Sequence, residues 1–250
     1  MSSTKRSDDI QDLIAYFQQL TGRKRIGREG ASEAEIDEYI YLAREYSPSA
    51  GPIPELLLGY FKEFGREDPV LQMGGDGISA IPILIDIYKD AKTAEYKGIP
   101  PDTIRISSDG LTGGRVLVYP DTHGTEAMVS QCWGVDLGII LSENFQNYLY
   151  SEAFSKALFS SENDSRLIES KKAGYFDLLT NFASQQGFVP FWFSDSYCQC
   201  MRLDNSVWLM IKRAEDDRTN VFLSGKKHDL RDKTKVAFLK QFELKDWSPK

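Results

Sequence analysis

Near the end of the chain four strand-like segments follow one another, at 189–194, 197–203, 207–213 and 220–224. The links at Asp204-Asn205 and at Glu215-Asp216-Asp217 carry turn chemistry and are too short for a crossover helix, so the strands are expected to run antiparallel. Helix-period segments flank this meander. One covers 167–186, with an interruption near Gly174. The other covers 229–244 and buries Val236, Phe238 or Leu239, and Phe242. The expected C-terminal region, 165–250, is thus a helix, a four-strand meander and a helix.

The start of the chain has a different period. Ile10, Leu13, Ile14, Phe17 and Leu20 predict a first helix that ends at Gly22, and a basic linker from Arg23 to Gly30 follows. Ser32 and Glu35 form a capping box that opens a second helix, with Ile36, Tyr39, Ile40 and Ala43 as its apolar stripe. Pro54 suits the first position of a third helix, Leu57, Leu58, Phe61 and Phe64 give it a buried face, and Gly65 stops it. Three helices are therefore expected before the first strands, which are read at 103–107, 115–119 and 128–135. Gly113-Gly114 and the run Pro120 to Gly124 are read as turns, and a further helix covers 143–159. Helices segregated from antiparallel strands predict an α+β fold. The polar run 160–165 marks the expected boundary between a domain at 31–160, preceded by a helix and linker at 1–30, and the C-terminal region.

A chain of 250 residues with 41% hydrophobic and 27% charged residues can bury a core without cross-links. It holds no apolar run of the ~18 residues that a membrane span needs, and no apolar leader follows Met1. The expected location is the cytoplasm. Three cysteines, without framework spacing, argue against a disulfide scaffold. The net charge of −7 disfavours direct nucleic-acid binding and suits a basic protein partner, because opposite fields speed encounter.

Catalytic material is sparse. The two histidines, His123 and His228, have no carboxylate or serine at a spacing typical of a catalytic signature. Asp121 with His123 offers an acid–base or metal pair, set inside a turn. Cys198 and Cys200 lie two apart on a strand and share a face, so they are either a metal pair or small core residues. Gly74-Gly75-Asp76-Gly77 lacks the lysine and hydroxyl of a phosphate loop and reads as a turn. Asp216-Asp217 lacks the spacing of a calcium loop. No catalytic, cofactor or metal residue is assigned. Phe191, Trp192, Phe193, Tyr197 and Trp208 crowd together, either as core or as partner anchors. The acidic residues read as dispersed, and none is nominated for an interface.

The run from Ile53 to Gly65, with its proline-started helix, the pair Tyr60-Phe61 and the final glycine, resembles the SUKH superfamily, also called SMI1/KNR4. The acidic helix 32–45 is similar to that family's opening helix. The segments Leu117 to Asp121 and Cys132-Trp133-Gly134-Val135 resemble its strand pair, and Phe145 to Leu149 stands where its closing helix does. The resemblance covers roughly 30–160 and does not extend to the C-terminal region. It implies a protein-binding scaffold without shared catalytic residues. Many bacterial members are immunity proteins that neutralise toxins, often nucleases, inside the cell, whereas fungal relatives are regulatory modules. The sequence expectation is therefore a non-enzymatic intracellular immunity protein that binds a toxin. A regulatory interaction module is the first alternative, and a metal-dependent enzyme using Asp121, His123, Cys198 and Cys200 is the second.

Overall fold

The computed structural model describes residues 9–24, 26–66, 79–93, 98–109, 113–120, 126–159, 166–170 and 172–246. The fold is α+β, as the segregation of periods predicts. The first of two compact units spans Ser7–Glu152 and the second contains Ala153–Lys250, so the division falls inside a helix, Phe145–Phe159. The expected boundary at 160–165 lies outside the described residues.

Four helices open the first unit: α1 (Ile10–Thr21), α2 (Glu33–Tyr46), α3 (Glu55–Phe64) and α4 (Ile81–Thr93). Asp9 caps α1 by accepting from the Gln11 N–H at 2.9 Å, and Gly22 ends it with φ 70°. The capping box of α2 is complete. The Ser32 N–H donates to Glu35 at 2.8 Å, and the Glu35 N–H donates to the Ser32 hydroxyl at 3.3 Å. Pro54 stands one residue ahead of α3, at its cap, and the Gly65 N–H donates back to the Phe61 carbonyl. The helices share an aromatic core in which Tyr39 meets Phe61 at 5.1 Å and Tyr88 at 5.9 Å, both edge-on.

A four-stranded antiparallel sheet follows in the order β1 (Ile104–Arg105), β2 (Gly113–Val118), β3 (Met128–Trp133) and β4 (Asp136–Ser142). Each strand pairs with its sequence neighbour, which leaves β4 as an edge. The pairing of β3 with β4 is interrupted at two places, between Val129 and Ser130 and between Ser130 and Cys132. Helix α5 (Phe145–Phe159) then crosses the division between the units.

The second unit is built on a six-stranded antiparallel sheet in the order β10-β5-β9-β8-β7-β6. Its strands are β5 (Arg166–Ser170), β6 (Val189–Pro190), β7 (Cys198–Leu203), β8 (Val207–Arg213), β9 (Thr219–Gly225) and β10 (Leu244–Asp246). Every residue from Val207 to Ile211 is buried, as befits a central strand covered on both faces. On one face Met201, Val207, Leu209, Ile211, Val221 and Leu223 join Phe176, Leu179 and Ala183 of α6 (Tyr175–Gln185) and Phe238 of α7 (His228–Gln241). The other face carries an aromatic cluster, with Phe154 against Phe191 at 5.3 Å and Phe159 against Phe222 at 5.9 Å. No helix among the described residues is long and apolar enough to cross a membrane.

Several expectations are corrected. The first unit has a fourth opening helix, α4, whose Ile81, Leu84, Ile85 and Tyr88 are buried at helical spacing. The segment at 128–135 is strand β3 followed by a turn, and a further strand, β4, returns from it. Gly113 and Gly114 are not a turn but the first two residues of β2. The expected helix 167–186 is a strand and a helix, because Gly174, at φ 77°, breaks the chain before α6. Leu244 belongs to β10, not to α7. The four-strand meander is therefore extended by β5 and β10 on one side.

Candidate protein-binding surface

Among the described residues, those singled out for chemistry do not assemble into a site. Cys198 and Cys200 do share a face of β7, with sulfurs 3.9 Å apart, and both are buried. Burial, together with the neighbouring Cys198, pushes the Cys200 thiol well above its ordinary pKa, which is the behaviour of a packed thiol. Among the described residues, no group of three or more His, Cys, Asp or Glu is placed to hold a metal ion. Asp121, His123 and the run Gly74–Gly77 lie outside the described residues. Asp216 and Asp217 form a tight link at positive φ, and they pair with Arg218 at 3.7 Å and Arg213 at 3.1 Å. The aromatic crowd does not supply exposed anchors. Phe193 and Trp208 are buried, while Phe191, Trp192 and Tyr197 are half-buried.

Exposed apolar side chains concentrate elsewhere. Among the described residues, the large hydrophobic side chains with high exposure are Tyr41, Ile83, Trp133, Val135, Leu137, Leu178, Val189 and Val236. Five of these sit singly on five different elements, which is ordinary for a protein surface. The other three, Trp133, Val135 and Leu137, share one hairpin tip and are exposed by 48%, 44% and 50%. Trp133 and Val135 adjoin at the turn, and Leu137 lies on the other face as the partner of Cys132. Apolar side chains gathered at one tip mark an interaction surface more readily than scattered residues do.

The tip is set by local sequence. Trp133 pairs with Asp136, so the β3–β4 link has two residues, Gly134 and Val135. Gly134 has φ 59°, the positive value that a type II′ turn requires at its first central position. This turn holds Val135 at the apex with Trp133 and Asp136 facing each other at its base.

Gly113 and Gly114 seat the base of the hairpin. Gly113 pairs with Trp133, and a Cβ at Gly113 would come within 2.6 Å of the indole ring and would also strike the Asp109 carboxylate. Gly114 pairs with Cys132 and serves the opposite face, where a Cβ would strike the Ser107 carbonyl oxygen at 2.2 Å and meet the Arg105 guanidinium at 2.7 Å. Successive strand residues point to opposite faces, so two adjacent glycines clear both. One gives room to Trp133 and the other to Arg105.

Arg105 is only 1% exposed, and its guanidinium ties the hairpin to its surroundings. It donates to the Ser107 carbonyl at 2.5 Å, the Gly98 carbonyl at 3.1 Å and the Gly113 carbonyl, and to the Cys132 sulfur at 3.0 Å. The backbone of Arg105 is held in turn by the helices. Its carbonyl accepts from the Tyr39 hydroxyl at 2.8 Å, and its N–H donates to the Tyr88 hydroxyl at 2.9 Å. Burial raises the pKa of both phenols, so both hydroxyls stay protonated, Tyr39 donating and Tyr88 accepting in this network. A continuous set of hydrogen bonds therefore runs from α2 and α4 through Arg105 to β2 and β3. The exposed tip therefore stands on a base tied by hydrogen bonds to α2 and α4.

The charge around the tip was legible in the sequence and was missed there. Residues 116–155 contain no Lys or Arg, but five carboxylates: Asp121, Glu126, Asp136, Glu143 and Glu152. The carboxylates are no denser here than in the rest of the chain, and what sets the stretch apart is the absence of Lys and Arg. Glu126, Asp136 and Glu143 are exposed. A running count of charge by segment finds the cation-free stretch, but not the exposure of Trp133 within it. Compared with known protein families, with curated proteins and with solved structures, the chain matches none.

Proposed function

We propose that this chain is a non-enzymatic protein-binding protein, acting in the cytoplasm as an immunity-type protein that holds and neutralises a toxin. The observation that carries the binding reading is the hairpin tip at Trp133, Val135 and Leu137. Half-exposed apolar side chains, one of them a tryptophan, stand on a hydrogen-bonded base within an acid-only stretch of sequence. Tryptophan anchors set in a polar surround are typical of residues that dominate binding energy at interfaces. The resemblance of 30–160 to the SUKH superfamily supports the immunity reading, and the Cys132–Val135 element that carries part of it belongs to this hairpin.

The test is affinity capture of the tagged protein from its own cells, with bound chains identified by mass spectrometry. The immunity reading expects one dominant partner in near-equal amount, whose toxic activity stops when this protein is added in excess. Binding should weaken as salt screens the acidic surface. A captured toxin that keeps full activity overturns the immunity reading. A spread of signalling or housekeeping partners replaces it with the regulatory interaction module.

A further inference from the structure

We infer that the Trp133 tip receives a cationic side chain, an arginine or lysine on a basic segment of the partner protein, seated over the indole beside the flanking carboxylates. The inference rests on the protein-binding reading and names the chemistry of its partner. Three observations lead to it. The indole is 48% exposed, and tryptophan offers the most favourable aromatic face for a guanidinium or ammonium group. Two carboxylates stand beside that ring: Asp136 is its cross-strand partner and is exposed, and the Asp109 carboxylate crowds the same Gly113 position as the indole. Finally, residues 116–155 carry no cation of their own, and the nearby Arg105 and Arg115 are buried, so the charged groups exposed beside Trp133 are carboxylates. Val135, next to Trp133 at the turn, supplies apolar surface for the aliphatic stem of the arriving side chain, whereas Leu137 pairs with Cys132 and lies on the other face.

Other occupants fit less well. A second copy docking through the same face would set Asp109 and Asp136 of each copy against those of the other. Nucleic acid would bring phosphates to carboxylates. Addition of a partner strand along β4 is opposed by the two irregularities in its pairing, since bulges bend and twist an edge away from a flat template. Side-chain docking at the tip is the mode that remains.

The probe is a capped peptide of alternating valine and arginine, titrated into the 15N-labelled full chain. Companion peptides carry citrulline, a neutral isostere, or glutamate in place of arginine. The Trp133 indole N–H resonance is assigned with Trp133→Phe. The arginine peptide should shift that resonance and the Asp136 amide. Trp133→Ala should weaken binding about tenfold, the scale of one desolvated cation–aromatic contact. Asp136→Asn should weaken it about threefold and reduce its salt dependence. A citrulline peptide that binds as tightly as the arginine peptide, or an unmoved Trp133 resonance, overturns the inference. Partner capture then separates the two claims. A natural partner retained equally by the wild type and Trp133→Ala sinks the inference and leaves the binding function standing. Arginine-peptide binding at Trp133 with no natural partner captured sustains the inference and sinks the function.

Discussion

In the second unit Val207, Leu209 and Ile211 are fully buried, locked between the central sheet and helices α6 and α7. In the first unit Trp133, Val135 and Leu137 stand half in solvent at the end of a hairpin. The first unit does not expose them for want of a core, because Leu13, Tyr39, Leu57, Phe61, Leu84 and Tyr88 are all buried there. The charges differ as well. Residues 7–152 hold twelve Lys and Arg against twenty-four Asp and Glu, a net −12. The remaining residues hold eighteen against thirteen, a net +5. The acidity of the chain is therefore a property of the unit that also carries the exposed tip. Apolar content alone says little about function. What distinguishes the two regions is how their apolar residues are held: by covering layers in the second unit, and by a turn, two glycines and a buried arginine in the first.

Substitutions can break or sharpen this contrast. The largest effect is expected from Arg105→Met, which strips several buried acceptors of their donor. It should cost about 3–5 kcal/mol in urea unfolding, because buried polar groups left unpaired are heavily penalised. A loss below about 1 kcal/mol would mean that the first unit, like the second, is held by apolar packing alone. In the second unit, Leu209→Ala should cost about 2–5 kcal/mol by opening a cavity in a closed core. The two variants therefore separate polar from apolar organisation.

A smaller, pH-dependent effect belongs to the α2 capping box. Hydrogen bonds from Arg66, and then from Ser32, hold the Glu35 carboxyl well below its ordinary value, at about 2. A depressed carboxylate stabilises the fold above its unfolded pKa and loses that effect as pH falls through the folded one. The melting temperature of Glu35→Gln should lie below that of the wild type at pH 7. The gap should close between about pH 4.5 and about pH 2. A gap that stays constant across that range would show that the ion pair with Arg66 has no part in it.

The smallest effect on stability is expected at the tip. Trp133→Ala should change unfolding free energy by no more than about 1 kcal/mol, as for most surface positions, while reducing partner capture. A large loss of stability at Trp133 would instead make it a structural residue. The contrast between the two units would then disappear.

Much of this architecture was legible in advance, and the reasons are local. The capping box at Ser32 and Glu35 needs only four residues to be recognised, and the Asp204-Asn205 turn needs only two, both of which take positive φ. Helix α4 carried its signal in Ile81, Leu84, Ile85 and Tyr88, and was lost only to the glycine-rich run before it. Strand β5 was hidden because its run of five residues adjoins a helix, and short apolar runs do not declare their period. Gly113-Gly114 has the composition of a turn. Its strand role comes from the indole and the guanidinium on either side, which no local window contains.

The sequence by itself determined the α+β class, most of the helices, the meander of the second unit and the acid-only stretch 116–155. All of these depend on near neighbours or on simple sums of charge. Only the tertiary structure decided that Arg105 is buried, that two glycines clear opposite faces of β2, and that Trp133 is exposed while Phe193 and Trp208 are not. The physical reason is that hydrophobic period tells which face of an element is apolar, but not whether another element covers it. That cover comes from contacts such as Tyr39 with Arg105, which are 66 residues apart in the chain and 2.8 Å apart in the fold.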